Sequence, residues 1–269
     1  MPPMVTKEKN WRMIDLSYGS PSMNLALEES LARTATQIEF LPIVRFWVDP
    51  KAVVVGRYQE ASAEVDIVKC SQHGVEVARR FTGGGAVFHD EGTLNFTVIT
   101  KRSEPLSSLK FHERSLRLVQ ESLRRFGINP SVRDINSLVV NGRKLCGAAA
   151  SLGRNFAFWH CSILVSTDTR LLETVLAPSK VTLVTQFVRS RWRPVTTIAE
   201  ALSKPVTIGD VKSRLITCVE SLLEVRLEAS RLSAREEEYS RKLFAEKYSS
   251  QDWNLKGNRQ QWNGKERVE

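Results

Sequence analysis

The sequence predicts an α+β fold built around a mixed or antiparallel β-sheet. Short β-favouring runs and amphipathic helices follow one another in mixed order, whereas a doubly wound fold would show regular strand and helix alternation. The 269 residues suit one large domain, and no internal repeat or low-complexity tract divides them. We therefore expect one folded domain over residues 1–250, followed by a polar, flexible tail over 251–269.

The first part of the chain predicts a helix and then several strands. Good helix formers fill residues 22–35, apolar residues recur at helical spacing from Met23 to Leu31, and Ser22 is a candidate N-cap. Short runs rich in β-branched and aromatic residues then predict strands at 44–48, 52–56, 75–80 and 94–100.

A second amphipathic helix follows these strands. Its apolar stripe runs from Leu116 to Phe126, and Gly127 marks its end before Pro130. Further along, a continuous apolar run predicts a buried strand, and helical patterns recur before the polar end of the chain. These elements are a strand at 156–165, a helix at 211–223 and a charged helix after Ser233.

Asn141 and Gly142 lie between two β-favouring runs and predict a hairpin. This pair is the strongest short-range hairpin signal, because a type I′ turn needs positive φ at both residues. In such a two-residue turn Val139 faces Lys144 across the strand pair. The hairpin therefore places Lys144 on a defined face close to the turn.

Charge and cysteine content limit the classes of partner and site. A net charge of +9 attracts acidic partners, which include nucleic acid, acidic protein domains and nucleotides. No apolar run of about 18 residues and no secretory signal occur, so we expect a cytoplasmic protein without a membrane span. The cysteines form no CxxC pair, which argues against a zinc site or a disulfide framework and favours reduced, structural thiols. They are Cys70, Cys146, Cys161 and Cys218.

The segment RRFTGGGAVFHD (79–90) is the most informative for chemistry. Three consecutive glycines after a predicted strand let backbone N–H groups approach an anionic or flat ligand. Arg79 and Arg80 offer fixed charge for a carboxylate or phosphate. A glycine-rich turn with surface arginines is the simpler alternative. The segment is not a Walker loop, and it does not match GxGxxG, because Phe88 occupies the position of the last glycine. Any ATP site in this chain therefore uses neither of these two motifs.

Four segments in this order resemble motifs of lipoate-protein ligases. RRFTGGGAVFHDEGTLNFTV (79–98) resembles RRxSGGGAVxHDxGNLNF, and VVNGRKLCGAA (139–149) resembles VxGRKISGxA. VVVGRYQEASAEV (53–65) and FWHCSILVSTDTRLLETVLAP (158–178) resemble two further family segments. The resemblance spans about residues 11–200. It implies the biotinyl/lipoyl ligase catalytic domain, a mixed central sheet flanked by helices and related in plan to class II tRNA synthetases.

The resemblance implies roles for individual residues. Lys144 would be the catalytic lysine, which touches the carboxylate of lipoate and the α-phosphate of ATP. Gln59 and Glu64 are weaker assignments, and a core role stays open for each histidine. The other residues implied to bind lipoate and ATP, as lipoyl-AMP, are Arg80, Thr82, Gly83, Gly84, Gly85, Val87, His89, Asn136, Gly147, Ala149 and His160.

One departure from the family concerns Mg²⁺. Where the family has Arg-Asn-Asp before the hairpin, this chain has Asp134-Ile135-Asn136-Ser137. Asn136 is retained, but Ser137 replaces the aspartate expected to help hold Mg²⁺. A metal site near Asn136 and Ser137, with Asp134 in compensation, stays a hypothesis.

A second departure concerns cysteine chemistry. Cys146 replaces the family's serine before Gly147, and Cys161 replaces its glycine after the histidine. A catalytic cysteine marks the related octanoyltransferases, which form a thioester in place of an adenylate. We favour small core substitutions for both thiols, and an octanoyl or lipoyl transferase is the second hypothesis.

The resemblance implies a two-step ligase that uses ATP and Mg²⁺ with lipoate as substrate. Its acceptors would be acidic lipoyl-domain proteins of the 2-oxoacid dehydrogenase E2 or glycine cleavage H protein type. The chain ends soon after KYSSQDWN (247–254), where long ligases pass into an accessory domain, so we expect that domain on a separate polypeptide. A nucleic-acid-binding protein ranks third, because no aromatic and basic RNA motif occurs.

Overall fold

The computed structural model describes residues 8–35, 40–102, 107–176 and 188–257. The strands in these ranges are β1 (Asn10–Asp15), β2 (Ile43–Trp47), β3 (Ala52–Val55), β4 (Glu76–Arg79), β5 (Val87–His89), β6 (Thr93–Lys101), β7 (Ser131–Arg133), β8 (Ser137–Val140), β9 (Arg143–Leu152), β10 (Phe156–Leu164) and β11 (Arg226–Ala229). The α-helices are α1 (Pro21–Thr34), α2 (Ala61–Glu64), α3 (Ile67–Gln72), α4 (Ser108–Arg124), α5 (Thr169–Val175), α6 (Ile198–Leu202), α7 (Ile208–Leu223) and α8 (Ala234–Leu243). Two π-helical segments, Phe244–Tyr248 and Asp252–Lys256, follow α8. None of the helices in these ranges has the length and apolar character that crossing a membrane requires.

Eight strands form one mixed sheet with the order β11-β1-β2-β6-β10-β9-β8-β7. The pairs β11–β1 and β1–β2 are parallel, and the remaining pairs are antiparallel. The other three strands form a small sheet with the order β4-β3-β5. The predicted mixed sheet and α+β class are confirmed, and every predicted strand and helix has a counterpart.

The two faces of the large sheet pack against different layers. Phe46, Phe96 and Trp159 face α4 and α7 in the largest hydrophobic cluster. Complete burial of a side chain such as Phe96 stabilises the fold by about 2 kcal/mol. Leu27 of α1 packs with Phe158 on the opposite face. Because successive strand residues point to opposite faces, the polar neighbours of these core residues lie between the sheet and α1.

The N-cap of the first helix lies two residues before the predicted cap. Ser20 is the N-cap, and its Oγ accepts a hydrogen bond from the Met23 backbone N–H at 3.3 Å. Pro21 occupies the first turn, where a missing N–H has no cost. The Ser22 prediction is therefore wrong, and Ser22 Oγ instead donates to Glu76 Oε1 at 2.8 Å.

The predicted hairpin is confirmed. Asn141 has φ 50° and Gly142 has φ 76°, as a type I′ turn requires. Val139 pairs with Lys144, and a register shift follows between Val139 and Leu138. The Lys144 backbone also pairs with a later segment, since its N–H donates to the Pro194 carbonyl at 2.8 Å. Lys144 is thus held on two sides.

The chain after residue 250 does not start as a loose tail. Residues Asp252–Lys256 are π-helical, and Trp253 Nε1 donates to the Arg79 carbonyl at 2.9 Å. Asn254 is buried, and its Oδ1 accepts from the Arg79 N–H at 3.1 Å. The expected flexible tail therefore does not begin at residue 251, because these polar groups pair with β4. Residues 258–269 lie outside the described residues.

Candidate active site

A cavity of about 350 Å³ lies between the large sheet and the layer formed by α1 and the small sheet. Its floor is a row of residues directly opposite one another across four strands, namely Trp47, Asn95, Ser162 and Gly147. Most residues implied by resemblance come together here. Arg80, Gly84, Gly85, Val87, His89, Asn136, Lys144, Gly147, Ala149 and His160 line this cavity, and Thr82 and Gly83 do not.

The glycine-rich loop is held from behind by Arg80. The guanidinium donates through Nη2 to the Gly83 carbonyl at 2.7 Å and to the Gly85 carbonyl at 2.8 Å. Gly84 has φ +94°, and a Cβ there would lie 3.0 Å from Arg80 Nη2, so the position requires glycine. Arg80 thus shapes the loop that would face a ligand. Burial lowers the pKa of Arg80 to about 10.

Arg79 has a different role from the one predicted. Its side chain is fully buried and lines neither of the cavities described here. The guanidinium donates to backbone carbonyls, including those of Gln59 at 2.6 Å, Trp253 at 2.7 Å and Leu255 at 3.0 Å. The prediction that Arg79 offers its charge directly to a ligand is therefore wrong. It joins the C-terminal segment to the strand that precedes the glycine-rich loop.

Thr82 supports the site indirectly through a buried polar chain. Its Oγ1 accepts a hydrogen bond from Arg80 Nε at 3.0 Å and lies 2.9 Å from His160 Nε2. His160 Nδ1 lies 2.7 Å from Glu28 Oε2, on α1. Burial alone would raise the pKa of Glu28, but His160 and Arg45 outweigh it and hold this pKa below its ordinary value. A carboxylate on α1 thus orients the histidine that lines the cavity.

His89 belongs to a second chain of the same kind. Its Nδ1 lies 2.8 Å from Asp49 Oδ2, and its Nε2 lies 2.8 Å from Ser162 Oγ. Both histidines implied by resemblance therefore line the cavity while a buried carboxylate fixes each ring. Sequence reasoning missed Glu28 and Asp49. The only local signal was a carboxylate within a predicted helix and another directly after a predicted strand.

Lys144 stands where two cavities meet. It lines the larger cavity and also a smaller one of about 100 Å³, whose other walls include Phe88, Leu164 and Leu172. A Cβ added to Gly147 would lie 2.7 Å from Lys144 Nζ, so glycine leaves the room that the ammonium needs.

The ammonium of Lys144 has no direct partner for its charge in the described part of the chain. Its Nζ makes no hydrogen bond or ion pair with any residue that the structure describes. Burial lowers the pKa of Lys144, and Arg80 and Arg193 act in the same direction, so that together they outweigh the opposite effects of Cys146 and Asp134. A cation in this situation favours an anionic ligand.

The segment 188–193 borders both cavities and is fixed by two residues of the weaker assignments. Ser190 Oγ accepts from Gln59 Nε2 at 3.0 Å and from the Ala86 N–H at 2.8 Å. The Ser190 N–H donates to Glu64 Oε2 at 3.0 Å. Gln59 and Glu64 therefore position this segment against the glycine-rich loop.

The loop before the hairpin offers little to a metal ion. Asp134 is ion-paired with Arg193, and Arg191 lies 3.8 Å from its other carboxylate oxygen. Ser137 Oγ donates to Asn136 Oδ1 at 3.3 Å. Within the described ranges, no group of three histidine, cysteine or acidic residues could hold a metal. A metal role for Asp134 stays a hypothesis, and its carboxylate would have to release Arg193 to hold an ion.

The cysteines are core residues. All four are free and buried. Cys146 and Cys161 belong to the hydrophobic cluster under α4, and they also border the site, Cys161 at the larger cavity and Cys146 at the smaller one. Burial raises the pKa of Cys161 well above its ordinary value, and the adjacent Cys146 thiol adds to this. A nucleophilic thiolate is therefore disfavoured at Cys161.

Proteins with similar sequences carry two kinds of activity in their names. Lipoate-protein ligase A subunit 1 of Thermoplasma acidophilum is 31% identical over 247 residues, which cover 88% of this chain and 93% of that protein. Octanoyltransferase LipM of Geobacillus kaustophilus is 30% identical, and the match covers 91% of this chain and 98% of that protein.

Solved structures share the fold over nearly their whole length. A crystal structure of lipoate-protein ligase A bound with ATP has a TM-score of 0.81 and 30% identity, covering 91% of this chain and 98% of that one. A putative lipoate protein ligase from T. acidophilum with bound lipoic acid also has a TM-score of 0.81, at 29% identity, covering 92% and 99%. A bi-partite lipoate protein ligase from T. acidophilum, studied with its E2 lipoyl domain, has a TM-score of 0.82 at 29% identity, covering 95% and 100%. Residues 20–220 match the model of the lipoyl protein ligase A/B catalytic domain, so the chain belongs to that family.

Proposed function

We propose that this protein activates lipoate with ATP, forming lipoyl-AMP and pyrophosphate, and then transfers the lipoyl group to a lysine of an acceptor protein. Lys144 carries the proposal, because its ammonium lies where two cavities meet and has no partner among the described residues. An unpaired, half-buried cation is unfavourable in the free protein, and two anionic groups that meet beside it would compensate it. The similar structures with bound ATP and lipoic acid support the same pair of ligands.

The proposed reaction has two steps. A carboxylate oxygen of lipoate attacks the α-phosphorus of ATP, the new O–P bond forms, and the bond to pyrophosphate breaks. Lys144 would contact both groups and stabilise the charge that develops between them. The acceptor amine then attacks the acyl carbon, AMP leaves, and the amine releases its proton to solvent.

The cavities suggest where each half of the adenylate lies. Leu25, Trp47 and Val54 give the larger cavity apolar walls that suit an acyl chain. Phe88 and Leu164 line the smaller cavity and suit the flat adenine base. The glycine-rich loop would then lie over the acyl-phosphate bond, where backbone N–H groups can approach it.

We expect Mg²⁺ to arrive with the phosphates of ATP. This ion commonly keeps several waters and binds substrate phosphates with only one or two carboxylates. Asp134 is the nearby carboxylate and is already paired with Arg193. Asn136 and Ser137 offer neutral oxygen atoms only, so the nucleotide would supply most of the ligands.

Lipoate-dependent exchange of labelled pyrophosphate into ATP tests the adenylation step. We expect exchange that requires lipoate and needs no acceptor protein. The alternative is a transferase that takes octanoyl from an acyl carrier, and the similarity to an octanoyltransferase supports it. The burial of the thiols weighs against the cysteine route. Absence of exchange together with octanoyl transfer from acyl carrier protein would overturn the ligase proposal.

The acceptor is proposed to be an acidic lipoyl domain. The chain carries a net charge of +9, and the Arg191 side chain beside the cavities is 80% exposed. The neighbouring Trp192 is 65% exposed and adds an apolar side chain to the surface beside the cavities. Electrostatic steering would speed the encounter at low salt. Transfer to the acceptor should therefore slow with added salt more than pyrophosphate exchange does, and an equal response of both steps would contradict docking by charge.

A separate accessory polypeptide is a further part of the proposal. One relative is named a subunit 1, and one similar structure is described as bi-partite. If such a polypeptide completes the enzyme, the rate of lipoate-dependent pyrophosphate exchange by this chain should rise when the accessory polypeptide is added. Full turnover without it would end this part of the proposal. We place the reaction in the cytoplasm, where ATP is available and free thiols stay reduced.

A further inference from the structure

The floor of the larger cavity contains a side-chain amide whose N–H donors are unused by the described residues. Asn95 is 1% exposed and lies between Trp47 and Ser162 in the row across the sheet. Its Oδ1 accepts from Ser162 Oγ at 2.8 Å, but its Nδ2 has no partner among the residues that the structure describes. A buried donor left unpaired is costly. Because Asn95 lines the larger cavity, an acceptor atom on a ligand bound there would satisfy this nitrogen.

A chain of buried groups leads from α1 to this amide. Asn24 Nδ2 donates to Asp49 Oδ1 at 2.8 Å, and Asp49 Oδ2 lies 2.8 Å from His89 Nδ1. His89 Nε2 in turn lies 2.8 Å from Ser162 Oγ. Hydrolases use a carboxylate, imidazole and hydroxyl in this order, but here Ser162 donates to Asn95 Oδ1. Because Ser162 binds the oxygen side of the amide, its nitrogen side has no partner among the described residues, and Asn95 itself lines the larger cavity.

The distance from Lys144 to Asn95 matches the length of an acyl chain. Lys144 Nζ lies over Gly147, Gly147 is opposite Ser162, and Asn95 is one strand further. Two strand spacings amount to about 10 Å, close to the extended length of an eight-carbon acyl chain. A carboxylate beside Lys144 would therefore bring the far end of its chain near Asn95.

We propose that Asn95 Nδ2 donates a hydrogen bond to a sulfur atom at the far end of the acyl chain and so selects a dithiolane-bearing acid over a plain fatty acid. This inference rests on the proposed function. Sulfur is a weak acceptor, whereas octanoate presents only methyl and methylene groups there. A site with a buried donor discriminates against the ligand that leaves this donor unpaired. Asn95 is thus a specificity residue, and Asp49, His89 and Ser162 position it.

The test compares pyrophosphate exchange driven by lipoate and by octanoate in the wild type and in Asn95→Leu. We expect the ratio of kcat/KM values, lipoate over octanoate, to fall about tenfold in the variant. Ser115→Ala is the matched control, because Ser115 also has a buried, unpartnered hydroxyl but lies in α4 away from both cavities. It should keep the wild-type ratio. An unchanged ratio in Asn95→Leu overturns the inference alone, and a wild type that shows no exchange with either acid overturns the proposed function with it.

A measurement on the unaltered protein covers the case in which Asn95→Leu does not fold. Cyclopentylpentanoate has the ring size of lipoate with carbon in place of sulfur. Calorimetry in the presence of a non-hydrolysable ATP analogue should show lipoate binding about tenfold more tightly than this carbon analogue. Equal or tighter binding of the carbon ring would mean that apolar burial alone governs the site, and the inference would be wrong.

Discussion

Replacing Lys144 by alanine should separate activity from stability. The ammonium has no acid partner among the described residues, and burial together with Arg80 and Arg193 lowers its pKa. Its charge is thus unfavourable in the free protein, so the substitution should leave the free energy of unfolding unchanged or raise it by up to about 1 kcal/mol. The reaction, however, would lose about 3 kcal/mol of charge stabilisation. That is a loss of about 150-fold in kcat/KM.

Pyrophosphate exchange and urea unfolding, measured on the same preparations, give both quantities. Arg143→Ala is a suitable control, because Arg143 is the exposed neighbour of Lys144 in the hairpin and lies 3.9 Å from Glu200. The control should keep its exchange rate. Exchange near the wild-type level in Lys144→Ala would refute the assignment. A loss of stability equal to the loss of activity would show that the lysine has a structural role instead.

Four other outcomes are expected. Cys146→Ala and Cys161→Ala should each keep most of their exchange activity, because both thiols are buried; an acyl group on either thiol, detected by mass spectrometry, would contradict this. Asp134→Asn should leave the Mg²⁺ concentration for half-maximal exchange unchanged, because an arginine already pairs with the carboxylate; a clear rise would identify a metal ligand. Glu28→Gln should cost about 2 kcal/mol of stability at neutral pH. Because the folded-state pKa of Glu28 lies below its unfolded value, this difference in urea unfolding should disappear as pH falls through the folded-state pKa, and a constant difference would exclude a stabilising carboxylate at Glu28. Deleting 251–269 should cost about 3 kcal/mol, because it strips a buried guanidinium of two carbonyl acceptors; deletion from residue 258 onward is the control, and equal stability of both truncations would refute this anchoring.

Local features of the site were predictable from the sequence because their chemistry lies within a few residues. The Asn141-Gly142 turn fixes its own backbone and sets Val139 opposite Lys144. Three glycines in sequence likewise require an open loop, and the structure places Gly84 at positive φ. Such features depend on backbone sterics, which neighbouring residues determine.

The supporting carboxylates were not predictable in the same way. Glu28 and His160 are 132 positions apart, and Asp49 and His89 are 40 apart. Their contacts depend on the rotation of α1 above the sheet and on the register of strands that are distant in sequence. The pattern of a single sequence predicts the helix and the strands. It does not predict which side chains of the helix contact which side chains of the sheet.

For the two adjacent arginines, the prediction of fixed positive charge near the glycine-rich loop is useful, but the prediction that both side chains face a ligand is wrong. Consecutive residues in extended backbone point in opposite directions, so Arg79 and Arg80 cannot both reach one ligand. Arg79 binds carbonyls of the C-terminal segment, and Arg80 binds carbonyls of the glycine-rich loop. Burial lowers the pKa of each to about 10, so both stay charged at neutral pH. Their charge therefore lies behind the loop as positive potential, and it would favour the anionic adenylate of the proposed reaction even though the hydrogen-bond donors of both arginines are already occupied.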